Sequence, residues 1–211
     1  VPGMFDKVID LNKCYLQKEP SNKIRLAVKK FADKNKLLYF DLRNQTGLLR
    51  NLLIRTSTTG ELMVLVQFFN NDIEKIELLM NYINNTFEKI TSLLYTVNSK
   101  GNNTLYDQDI ICFSGKDHIT EEIVDLVFKI GPKSFFQTNS KQAKRLYSIT
   151  RDLAEINKND IVYDLLAQSD LVQNDVQAIL TKALENRDDL KMKGGGGGGG
   201  GATGVYYTGV Y

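Results

Sequence analysis

The chain reads as an α+β protein, an antiparallel or mixed sheet covered by helices, on three observations. Residues 61–69 are almost continuously apolar, as a central strand buried on both faces must be. Two stretches, near residues 21–35 and 72–87, repeat apolar side chains at helical spacing. Strand-like runs lie between and after them, separated by turn residues and not by long linkers.

In chain order, Ser21 is placed to cap a helix whose apolar positions Ile24, Ala27, Val28 and Phe31 share a face, and the pattern fades near Asn35. Residues 48–56 and 61–69 form two strands around Ser57-Thr58-Thr59-Gly60, a hairpin expected in the middle of the sheet. Asp72 can accept a backbone N–H of the next helix, which carries Ile73, Ile76, Leu79, Met80, Ile83 and Phe87. Residues 90–97 read as a third strand. Residues 98–104, with Gly101 and two adjacent asparagines, read as a loop. Residues 109–113 give a short strand and 121–130 one longer strand, in which Val124, Leu126, Phe128 and Ile130 alternate with Asp125, Val127 and Lys129.

Asn139 followed by Gln142 predicts a capping box for a helix carrying Ala143, Leu146, Tyr147, Thr150, Leu153 and Ala154, with Phe135, Phe136 and Gln137 at its mouth. Val162-Tyr163-Asp164-Leu165 adds a strand, and Val172, Val176, Ile179, Leu180 and Ala183 a last helical pattern that ends in a charged run over 185–193. Eight glycines then follow, Gly194 to Gly201. Such a run behaves as a flexible coil and reads equally as a linker, an engineered scar or a placeholder for unassigned residues. The tail after it repeats Thr-Gly-Val-Tyr twice.

Composition excludes some classes of function. At 211 residues and 42% hydrophobic side chains the chain supports one sizeable domain with an appendage, not a disordered polymer. A net charge of +2 does not by itself announce a nucleic-acid binder, although a basic face can hide in a balanced total. Two cysteines make no disulfide framework, and no apolar run is long enough to span a bilayer. A reduced, cytoplasmic setting without a membrane partner is expected. The first residues lack a signal-peptide pattern and begin in mid-motif, as a fragment would.

The run Lys129-Ile130-Gly131-Pro132-Lys133-Ser134-Phe135-Phe136-Gln137-Thr138-Asn139, the amphipathic stretch 141–155 and the Val162 to Leu165 strand together resemble the entry to the catalytic domain of the S-adenosylmethionine-dependent RNA uracil-5-methyltransferases. The stretches around Cys14, Phe40 to Arg50, Leu53 to Thr56, Gly60 to Val64 and Ile90 to Ser92 with Asn98 are similar to the rRNA branch of that family, in the family's order. The resemblance covers roughly residues 1–165. It implies a central, RNA-facing domain over 1–133, the start of a Rossmann-like methyltransferase domain over 134–190, altered after Leu165, and a glycine-rich linker with a tail over 191–211. The glycine-rich turn that should follow Leu165 is missing, because Leu166-Ala167-Gln168-Ser169-Asp170 contains no glycine.

Methylating carbon 5 of uracil requires a thiolate to add at carbon 6 and a base to remove the carbon 5 proton. Cys112, inside Ile110-Ile111-Cys112-Phe113, reads as inert core packing, and no segment matches the family's nucleophile and base. The resemblance makes Cys14 the last of four thiolates on a 4Fe-4S cluster whose other ligands would lie upstream of Val1; one thiolate holds no cluster, so Cys14 is expected to be a free thiol. Without the resemblance it is an incidental cysteine.

The resemblance likewise places Gln137 against the methyl donor, where an amide offers both donor and acceptor; the plain alternative is a helix cap. Phe135 or Phe136 could stack on a uridine extruded from its RNA, but adjacent strand residues face opposite ways, so one of them belongs to the core. Asn139, Lys133, Arg50 and Arg55 complete the expected RNA contacts, with Lys129 beside them, although a solvated strand face explains any one of these bases. His118, in Gly115-Lys116-Asp117-His118, reads as a loop residue without a metal partner.

The expectation is therefore part of an S-adenosylmethionine-dependent methyltransferase forming 5-methyluridine in rRNA, inactive as this chain alone. The rival is a non-catalytic RNA-binding or protein-interaction module, and a third reading is a truncation or fusion with a scaffold role only.

Overall fold

The protein is described by a computed structural model over residues 10–123 and 126–155. The strand and helix expected after position 155, the glycine run and the tail lie outside the described residues, as do Val124 and Asp125.

The elements run α1 (Ser21–Lys34), β1 (Leu49–Thr56), β2 (Leu62–Phe68), α2 (Ile73–Thr86), β3 (Ser92–Val97), β4 (Ile111–Gly115), β5 (Ile119–Ile123), β6 (Leu126–Ile130) and α3 (Ser140–Ala154). The first four strands form one sheet in the order β1-β2-β3-β4. β1 is antiparallel to β2, β2 parallel to β3, and β3 antiparallel to β4. A two-residue turn cannot join parallel strands, and α2 supplies the crossover between β2 and β3.

Period-two alternation sorts the sheet into two faces. Leu62, Val64, Val66 and Phe68 of β2 and Leu93 of β3 pack against Ile24, Val28 and Ala32 of α1 and Ile76, Leu79, Met80 and Ile83 of α2. Met63, Leu65 and Gln67 point to the other face, and each is at most 2% exposed. Burial on both faces is the reason β2 carries no alternating polar residue except Gln67. Asp72 caps α2 as expected, its side chain accepting from the backbone N–H of Lys75.

Three expectations change. Pro20 occupies the N-cap of α1 and Ser21 is its first helical residue, with no side-chain cap bond. The β1–β2 hairpin does not lie mid-sheet, because among the described strands β1 is at the edge and, of the hairpin's two strands, β2 alone is interior. The single strand expected over 121–130 is two strands, β5 and β6, paired with each other in a separate two-stranded sheet. Their burial explains the misreading. Ile119, Glu121 and Ile123 are the buried positions of β5, all odd, while in β6 Leu126, Phe128 and Ile130 are the more buried, all even. A change of parity within an alternating run marks a break between two strands.

The chain divides into two compact units between Ile119 and Thr120. Position 133, the boundary expected from the sequence, falls inside the second unit. In that unit Ile123 and Ala143 form a small core with Leu126, Phe128, Phe136 and Tyr147.

Candidate functional site

In the second unit the segment between β6 and α3 is shaped by local hydrogen bonds. The Gly131 N–H donates to Ser134 Oγ at 3.0 Å, and the Ser134 N–H returns to the Gly131 carbonyl at 3.1 Å. This short turn delivers Phe135 and Phe136 to the start of α3. The Phe136 ring lies 6.0 Å from that of Phe128 and packs on the Ile123–Ala143 cluster, so Phe136 is the core aromatic of the pair. Phe135 is half-buried, and Gln137 is exposed.

Asn139 caps α3: its Oδ1 accepts from the Gln142 N–H at 3.2 Å, which uses one of its lone pairs and leaves the Nδ2 donors for other partners. The first half of the expected capping box is thus present. Glu121, which alternation alone would read as an outward residue of the long strand, is 2% exposed and accepts from Ser140 Oγ at 2.9 Å. A carboxylate at the first residue of α3 also meets the positive end of the helix dipole. Lys133 is half-buried beside this segment and Lys129 is exposed on β6.

In the first unit Arg55 is half-buried on β1, and Arg50 corrects an expectation. Instead of facing phosphate, the Arg50 side chain lies inward at 8% exposure. Its Nε donates to Asn103 Oδ1 at 2.8 Å, its Nη1 to the carbonyls of Asn98 and Lys100 at 2.7 and 2.5 Å, and its Nη2 to the Asn102 carbonyl at 2.9 Å. The guanidinium carbon sits 4.4 Å from the Phe40 ring centroid and 5.7 Å from that of Phe69. Burial pushes its pKa below the usual value. Arg50 therefore organises the 98–104 loop, and the flanking sequence carries no local pattern that distinguishes such a clamp from a surface base.

Cys112 is a second correction. It is exposed, not packed in the core, because among the described strands β4 is at the edge opposite β1, and apolar neighbours on an edge do not guarantee cover. Its Sγ lies 3.8 Å from the Ser114 carbonyl and 3.7 Å from that of Gly115. Cys14 is half-buried and a free thiol. Its backbone exchanges two hydrogen bonds with the Asn22 side chain, at 2.8 and 3.1 Å. Among the described residues no group of three or more His, Cys, Asp or Glu could hold a metal ion, so these residues alone do not fit a 4Fe-4S cluster. His118 lies in the loop before β5, its Nδ1 2.5 Å from Asp117 Oδ1. No helix among the described residues is long and apolar enough to cross a membrane.

No protein-family profile matches the chain. An uncharacterized RNA methyltransferase of Porphyromonas gingivalis is 46% identical over 82% of this chain and 38% of its own length. One of Bacteroides thetaiotaomicron is 48% identical over 82% of this chain and 39% of its own. The tRNA (uracil-54, C5)-methyltransferase of Pyrococcus abyssi, solved in complex with S-adenosyl-L-homocysteine, superposes with a TM-score of 0.60 at 27% identity, over 72% of this chain and 37% of that one. The chain spans roughly two fifths of the length of the curated relatives it matches.

Proposed function

Because this chain is homologous to a segment of RNA methyltransferases, we propose that it forms the RNA-facing part, and the start of the catalytic domain, of an S-adenosylmethionine-dependent enzyme that makes 5-methyluridine in rRNA. The observation that supports this best is the order β6, Phe135 to Asn139, α3, with one phenylalanine anchored in the core and the Gln137 amide exposed two residues before the Asn139 cap of the helix. An amide offers an amino-acid head group both a donor and an acceptor. The donor, when bound, supplies the methyl group. Gln137 would hold its head group, while Phe135 would stack on the extruded uridine, with Lys133 and the Nδ2 of Asn139 near its RNA, and Arg55 would be a separate RNA contact of the first unit. Arg50 acts indirectly, by fixing the 98–104 loop. In the parent protein Cys14 would give one thiolate to a 4Fe-4S cluster whose other thiolates lie outside this chain, since its one other cysteine is Cys112 and this chain would hold no cluster.

The test uses the 211-residue chain with an rRNA fragment, a tRNA competitor and labelled S-adenosylmethionine. The expected result is salt-dependent binding that favours rRNA, photo-cross-linking of the donor that is lost in Gln137→Ala, and no 5-methyluridine. Absence of RNA binding would sink the RNA reading, equal affinity for tRNA the rRNA assignment, and label incorporated into uridine the expected inactivity.

A further inference from the structure

Positive charge in the first unit is concentrated on one helix. The α1 segment carries Lys23, Arg25, Lys29, Lys30 and Lys34 against Asp33 alone, a surplus of four. The other described residues of that unit, 10–119, hold ten basic and eleven acidic side chains, so without α1 the unit is slightly negative. Helix α2 covers the same sheet face and bears Glu74 and Glu77 against Lys75. Solvent exposure alone therefore does not require lysine at this surface.

Lys29 is already occupied, with Asp33 at 3.1 Å and Asp10 at 3.4 Å. Lys23, Lys30 and Lys34 are exposed. Separations of seven and four residues are close to whole helical turns, so the three ammonium groups line one stripe about 16 Å long at ~1.5 Å of rise per residue. Like charges at such spacing repel, and a row of phosphates relieves that repulsion. At the N-terminal end of the helix, the Cys14–Asn22 bonds tie the preceding segment to the first turn of α1. There Tyr15 is 85% exposed and Leu16 97%, and the Lys13 ammonium lies 4.8 Å from the Tyr15 ring centroid. An aromatic face held open beside a row of cations is the combination that single-stranded nucleic acid uses, stacking plus backbone neutralisation.

We propose that this face of α1, with Tyr15 at its N-terminal end, docks single-stranded RNA, Lys23, Lys30 and Lys34 meeting phosphates and Tyr15 stacking on a base. The inference rests on the RNA reading above and adds where the strand runs.

The experiment is fluorescence anisotropy of the full 211-residue chain with a labelled oligouridine across a salt series. The triple variant Lys23→Ala, Lys30→Ala, Lys34→Ala is expected to lower the slope of log affinity against log salt by about two, at ~0.7 per phosphate contact on a single strand. Tyr15→Ala should weaken binding about tenfold at an unchanged slope. Lys89→Ala, an exposed lysine outside α1, should change neither. Alanine favours helix, so circular dichroism should show the variants folded. If the wild type binds RNA and the triple variant keeps its slope, this surface is wrong while the RNA reading stands. If the wild type binds no RNA, both fall. An α1-dependent affinity for anionic vesicles or an acidic peptide in place of RNA, or a Tyr15 effect equal on duplex RNA, likewise overturns the proposal.

Discussion

At Arg50, four hydrogen bonds and two aromatic rings converge on one guanidinium, and three of the acceptors are backbone carbonyls of the 98–104 loop. Arg50→Ala strips those carbonyls of a charged donor, for which about 2–4 kcal/mol of lost stability is expected from denaturant midpoints. Arg50→Lys should recover only part of it, since one ammonium cannot span donors set in a planar fork; wild-type stability in the lysine variant would show that the fork is not what holds the loop. Gly47 makes a second single-residue case. Its φ is +113°, and an added Cβ would run into the Tyr39 carbonyl. Gly60 also has a positive φ, +86°, but open space where its Cβ would go. Gly60→Ala should therefore cost about 1 kcal/mol for backbone strain alone, and Gly47→Ala clearly more. Equal losses at the two positions would mean that the Tyr39–Gly47 approach relaxes freely.

Among the elements, α2 shows how a cap becomes a pH response. Asp72 accepts from the Lys75 ammonium at 2.6 Å and the Lys75 backbone N–H at 3.2 Å, and the side-chain bond, followed by the backbone one, holds its carboxyl below the usual carboxylate range. Asp33 is lowered in the same direction, first by the Tyr39 hydroxyl at 2.8 Å and then by Lys29. A folded-state pKa below the unfolded value of about 4 contributes stability above that pH, and the contribution is lost as pH falls through the folded pKa. Thermal midpoints should thus drop in acid, and Asp72→Asn, which keeps a capping oxygen but cannot titrate, should lose less over that range than wild type. An unchanged acid limb would exclude Asp72 as a contributor. The same scale shows what could be read from sequence. Both sheet-covering helices and the central strand were legible, because each displays its own period over a long run. The β5–β6 break was not, since one apolar–polar alternation runs on past the parity change and hides Glu121 among the outward positions. Exposure of Cys112 depends on β4 being an edge, which is a property of strand order and is not written in any local pattern. The Gln137 segment could be found by its motif, whereas the lysine stripe of α1 required counting charge helix by helix.

For the whole molecule, stability should be unevenly divided. The first unit buries sixteen hydrophobic residues in one cluster, between a four-stranded sheet and two helices. The described part of the second unit pairs two short strands and packs one helix over a cluster with two fully buried members. A two-stranded sheet is marginal in water unless something packs on it, and here α3 leaves Leu146, Ile149 and Leu153 at 55, 45 and 78% exposure. Burial at about 25 cal/mol per Å² of apolar surface favours the first unit strongly, so its central strands should open only with global unfolding. Native-state hydrogen exchange tests this directly. Amides of β2 and β3 are expected to be the last to exchange, and those of β5, β6 and α3 to exchange by smaller openings that denaturant accelerates less. Exchange of all five elements at one common free energy would instead show a single cooperative body, and the small core around Ile123 and Ala143 would then be drawing its stability from more than its own packing.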